Sequence, residues 1–141
     1  MKKIVYFMTI WTVLIVTMVG CQNDRGEDLQ IEFMNEGNTY RTGEFITFNL
    51  GLSDQEGAPV TADQVYFYMN MERMNHPMEG TMIEVSPGNY EIELPLAMEG
   101  EWLVEITTTK ENKVIEERFY VHGEGDMAME YMTGYNADEN S

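Results

Sequence analysis

Apolar and polar residues alternate along most of this chain with the period of β-strands. Residues 44–52 put Ile46, Phe48, Leu50 and Leu52 on one face, as a half-buried strand requires. Residues 90–94 alternate in the same way and turn Glu91 and Glu93 outward. Trp102, Val104 and Ile106 share a face in a third run. Residues 29–33, 64–71, 81–85 and 114–121 read as further strands, the second of them dense in β-branched and aromatic side chains. Turn-forming clusters at 35–38, 53–59, 86–89 and 98–100 separate the runs. About seven strands at this spacing predict an all-β sandwich. After the first twenty residues no stretch carries helical periodicity.

The chain opens differently. Lys2 and Lys3 precede an apolar run over residues 4–19, which ends in Met18, Val19, Gly20 and Cys21. The run is short for a spanning helix, which needs about 20 residues, and it has the length and flanks of a secretory signal. A small residue directly before the sole cysteine resembles the bacterial lipoprotein cleavage box, in which that cysteine becomes the lipid-bearing N-terminus. The alternative is an uncleaved signal anchor with an incidental cysteine. The lipoprotein reading predicts a signal peptide over 1–20, lipidated Cys21 with a polar tether to 28, and a β-sandwich domain over 29–122. The acidic, methionine-containing tail over 123–141 has little to bury and is expected to be disordered. Acyl chains on Cys21, palmitate among them, would hold the protein on the extracytoplasmic face of the cell membrane.

Charge and cysteine content then narrow the function. Eight Lys and Arg against 25 Asp and Glu leave a formal charge of −17. Such a surface repels phosphates, which argues against nucleic-acid binding, and it attracts cations weakly. With Cys21 acylated no thiol remains, which excludes disulfides, thiolate catalysis, zinc knuckles and iron–sulfur clusters. Ser53 and Ser86 sit at turns with no histidine near them in sequence, and residues 54–57 lack the acidic spacing of a calcium loop. No nucleophile–base pair or phosphate-cradling loop points to an enzyme.

Methionine changes the picture. The chain has 13, and Met69, Met71, Met74, Met78 and Met82 cluster around His76. His122, Met127, Met129 and Met132 form a second group. Thioether sulfur is soft and neutral, and with imidazole it suits Cu(I). Met71, Met74, His76 and Met78 are therefore candidate ligands in a loop restrained by Pro77. Met69, Met82 and Met98 read as core, and the second group as part of the disordered tail. The competing reading has no metal: exposed methionines make an adaptable contact surface for a partner.

Several of these segments resemble the YtkA-like domain of bacterial envelope proteins: residues 65–69, the Met71, Met74 and His76 segment, the turn of Gly88, Asn89 and Tyr90, and Gly100 followed by Trp102, Val104 and Ile106. The similarity covers roughly residues 30–121. It implies an immunoglobulin-like fold, an envelope location and a link to copper or to respiratory-oxidase maturation. It also implies a relation to FixH-like proteins, which a retained helix holds in the membrane where this chain has a lipid anchor. Met71, Met74 and His76 match the family's Met/His segment. The partners implied are the membrane, through Cys21, and a copper-accepting or oxidase-assembly protein.

Overall fold

The computed structural model describes residues 29–141. The expected signal peptide, Cys21 and the expected tether lie outside the described residues. Among the described residues ten strands form two sheets. In the first sheet β1 (Gln30–Phe33), β3 (Phe45–Ser53), β7 (Asn89–Pro95) and β6 (Ile83–Ser86) lie in that order, all antiparallel. The second runs β10 (Tyr135–Asn136), β5 (Met78–Thr81), β4 (Gln64–Asn70), β8 (Gly100–Lys110), β9 (Lys113–Glu124) and β2 (Thr39–Arg41). Its outermost pairs, β10 with β5 and β2 with β9, are parallel. The result is the expected all-β, immunoglobulin-like sandwich.

The predicted alternation fills the space between the sheets. Ile46, Phe48, Leu50 and Leu52 of β3 face Val65, Phe67 and Met69 of β4 and Trp102, Val104 and Ile106 of β8 in one buried cluster. Phe48 and Phe67, from opposite sheets, lie with ring centroids 5.0 Å apart and planes 28° apart, a packing worth about 1 kcal/mol beyond the area it buries. Trp102 is fully buried, and its indole N–H donates to the Met98 carbonyl at 3.1 Å. The β8–β9 hairpin turns on Glu111 and Asn112, whose φ angles of 49° and 64° are those of a two-residue hairpin loop matching the strand twist.

Two expectations are corrected. The strand predicted over 81–85 is two strands in different sheets. Met78 and Gly80 face inward on β5, and the buried Met82 is the crossing point, its amide donating to the Val65 carbonyl at 2.8 Å. Met82 and Ile83 are adjacent apolar residues, which cannot share one face of one strand. Beyond the crossing, all four residues of β6 are exposed.

The C-terminal segment, expected to be disordered, is folded. β9 runs to Glu124, a 3-10 turn spans Met129–Tyr131, and β10 follows. Backbone bonds anchor it at intervals: Thr42 N–H to the Glu124 carbonyl at 3.0 Å, Ala128 N–H to Ala97 at 2.7 Å, and Tyr135 N–H to Pro77 at 2.8 Å. Asp138 accepts from the amide and hydroxyl of Thr81 at 2.8 and 2.9 Å. Phe45, Tyr131 and Tyr135 meet edge to face, and Tyr131, Met132, Tyr135 and Ala137 pack against the core. Four well-placed apolar side chains and a ladder of main-chain bonds order a segment whose composition alone argues against order.

Gly88 and Gly37 both have φ near 74°, a left-handed value that any side chain strains. A Cβ at Gly37 would meet nothing within 4 Å, whereas one at Gly88 would lie 2.6 Å from the Leu52 carbonyl. Gly37→Ala is expected to cost about 1–2 kcal/mol in urea unfolding. Gly88→Ala is expected to cost clearly more, because the backbone of β3 must move.

Candidate functional site

The Met/His segment forms the loop between β4 and β5, and the side chain that shapes it is Asn70. Its Oδ1 accepts the amide of Met71 at 2.9 Å and that of His76 at 3.1 Å, so one carboxamide holds both ends of the loop. Its Nδ2 donates to the Tyr68 hydroxyl at 3.1 Å. Between these ends Met74 N–H bonds the Met71 carbonyl at 3.1 Å, and Arg73 takes a left-handed φ of 62°. Asn70 escaped the sequence reading. The signal was there, since an Asn closing a strand before a loop commonly bonds the backbone ahead of it.

His76 is half-buried, and its Nδ1 bonds the main-chain carbonyl of Met132, 56 residues away. A carbonyl only accepts, so Nδ1 is the donor, and the lone pair that a neutral imidazole offers is then on Nε2. A histidine that ligates a metal has this arrangement, with its second nitrogen held by a backbone oxygen. Met74 is exposed, at 48%. Met71 packs at the edge of the core, with its methyl carbon 2.6 Å from where a Cβ on Gly100 would stand, so Gly100 makes room for it.

Met78 is placed otherwise. It sits in β5 opposite Met69 and is fully buried in the core. Its alternation with Glu79 decides this, because β5 begins at Met78 and its first residue points inward. The loop therefore presents Met71, Met74 and His76, while Met78 belongs to the packing beneath. Met69 and Met82 are core residues, as expected, and Met98 is half-buried.

The second methionine group is divided. Met132 comes to His76, whereas Met127 and Met129 are exposed at 50% and 71%. His122 lies within β9, between Glu101 of β8 and Thr39 of β2. Among the described residues no three His, Cys, Asp or Glu side chains converge as a metal group. The donors that the loop can offer are one imidazole and thioethers, a set that fits a soft monovalent ion and not a hard divalent one.

Beside the loop the C-terminal segment brings carboxylates against β4 and β5. The Tyr66 hydroxyl donates to Glu79 Oε2 at 2.9 Å. Burial, then the hydrogen bond to Glu79 and the charges of Glu79, Asp138 and Glu139, push the Tyr66 phenol up to about 12.

A family model described as YtkA-like matches residues 24–107. No curated protein matches the chain. Among solved structures the sandwich is similar to an endo-beta-1,4-mannanase from Thermotoga petrophila, with a TM-score of 0.52 and 11% identity over 74% of this chain and 22% of that one. It is also similar to an engineered protein, with a TM-score of 0.55 and 8% identity over 69% of this chain and 20% of that one. Domains 4 and 5 of the S-layer protein SbsC align with a TM-score of 0.48 and 19% identity over 68% of this chain and 51% of that one. The chain thus spans about half of the SbsC fragment and about a fifth of the other two. At these identities the likeness to the mannanase and to the engineered protein shows the fold alone.

Tyr66 gives a test of this neighbourhood. Its phenol is held neutral in the folded protein, so stability is expected to fall as pH rises from the ordinary tyrosine value of 10.0 to about 12. Burial raises the Tyr90 phenol as well, and in absorbance titration of tyrosinate Glu79→Gln is expected to shift the Tyr66 phenol downward and leave that of Tyr90 in place.

Proposed function

The chain belongs to the YtkA-like family, and on that premise we propose that it is a non-catalytic protein of the cell envelope that binds Cu(I) at the β4–β5 loop. The observation that carries this reading is the orientation of His76, whose Nδ1 is engaged by the Met132 carbonyl, leaving Nε2 as a donor in a loop that also holds Met71 and Met74. Bound copper would be carried as cargo, to be passed to a copper-accepting or oxidase-assembly partner. Neutral thioether and imidazole donors take it without losing a proton. Asn70 and Gly100 position the donors, and Met78 supports them from the core. The formal charge of −17 favours cations near the surface. Lipid on Cys21 would keep the domain at the extracytoplasmic face of the membrane, within reach of membrane-bound partners.

A second reading is a metal-free assembly module. It is favoured by the large apolar residues that the first sheet exposes, Phe45, Ile83 and Val85.

A Cu(I) competition titration against a chromogenic chelator separates the two. Uptake is expected in the wild type, with His76→Ala weakening it at least about tenfold and Met74→Leu weakening it as well. Met78→Leu conserves volume in the core and is expected to leave uptake unchanged. A protein that leaves the chelated Cu(I) untouched would sink the copper reading and favour the second.

A further inference from the structure

The edge of the first sheet carries a notch. β6 pairs with β7 only as far as Ile83 opposite Glu91, because the chain leaves for the other sheet at Met82. Residues 92–95 of β7 therefore have β3 on one side and no strand of the sheet on the other. The C-terminal segment borders this gap without pairing to β7 as a strand, since β10 pairs with β5 of the second sheet. What remains is an open groove of about 540 Å³ between the exposed face of the first sheet and the C-terminal segment, within the size of ligand clefts generally.

The chemistry of the groove is two-sided. Phe45, Ile83 and Val85 line it, exposed at 49%, 71% and 53%. So do the carboxylates of Glu91, Glu93 and Asp138, whereas among the described residues no lysine, arginine or histidine does. Asp138 is committed to Thr81. Glu93 accepts from the Thr47 hydroxyl at 3.4 Å, and among the described residues neither Glu91 nor Glu93 forms an ion pair. Ile83 stands directly opposite Glu91 in the register, so apolar and acidic positions adjoin across the face.

We propose that this groove docks an extended, cationic segment of a partner protein, in which apolar residues and lysine or arginine take turns at every second position and so lie on one side of the segment. The free flank of β7 offers main-chain groups to an added strand. Ile83, Val85 and Phe45 receive the apolar side chains, and Glu91 and Glu93 receive the cations. A second copy of this chain fits poorly, because it would set like carboxylates against each other on molecules of formal charge −17. The proposal is independent of copper and of His76.

The test uses the full chain in neutral detergent at physiological ionic strength and a fluorescein-labelled peptide of repeating Lys-Ser-Val-Ser, which sets Lys and Val on one side of the strand. Saturable binding by anisotropy is expected, with no binding of the Glu/Val counterpart. Glu91→Gln with Glu93→Gln, and separately Ile83→Ser, are expected to weaken binding about tenfold or more. Glu116→Gln with Glu117→Gln, both exposed on β9 of the second sheet, is expected to leave it unchanged. The altered residues are not core residues, and unchanged melting of each variant confirms the fold. Equal weakening by the two Gln pairs would mean diffuse attraction to an acidic surface and would overturn the proposal. So would binding that survives both groove variants, an absence of saturable binding, or self-association of the free chain that Ile83→Ser abolishes.

Discussion

The Pro77 carbonyl accepts the amide of Tyr135 at 2.8 Å and lies 2.6 Å from where a Cβ on Gly134 would stand. Only glycine allows this approach, and Gly134 has a φ of 101°, which other residues resist. From this contact β10 runs parallel to β5, and Ala137 N–H reaches the Glu79 carbonyl at 2.9 Å. The segment just before it brings Met132 to His76. The segment just after it brings Asp138 to Thr81 and borders the groove. The orientation of the histidine and one wall of the groove both depend on where the C-terminal segment is tied down.

The strands that were legible in the sequence are those that bury one face between the sheets. In β3, β4, β7 and β8 the inward positions are large apolar residues, Thr108 of β8 excepted, and the outward ones are mostly polar, so the period of two and the core coincide. β2 and β10 bury no residue fully and are held by main-chain pairing to a neighbour far away in sequence. No local pattern announces such strands. The crossing at Met82 did leave a trace, the adjacent apolar pair of Met82 and Ile83, but the trace does not say which residue changes sheets.

The candidate site divides along the same line. Met71, Met74 and His76 were legible because a loop bounded by strands keeps neighbours together. Met78 has the same spacing and the same chemistry, but β5 starts at that residue and its parity sends the side chain inward. Composition could not reveal the Met132 carbonyl, because every residue has one and only the fold chooses which faces His76. The site owes its residue types to the loop and its geometry to Asn70 and the distant segment.

Charge stabilises little of this architecture. The ion pairs seen, Arg41 with Glu44 at 3.9 Å and Arg118 with Glu105 at 3.0 Å, involve side chains open to solvent, where such pairs contribute at most about 1 kcal/mol. Most of the 25 acidic residues can have no cationic partner when the chain has only 8 Lys and Arg. The domain carries this repulsion because its apolar cluster, drawn from both sheets, is continuous from Phe33 to Val121. Stability is thus supplied by the interior, and the surface is left with an unbalanced field. Where that field coincides with exposed apolar residues, as at Ile83 beside Glu91, the surface is complementary to a chain of opposite charge and similar apolarity. Elsewhere, as along the outer side of β9, the same charge meets solvent and screening ions alone.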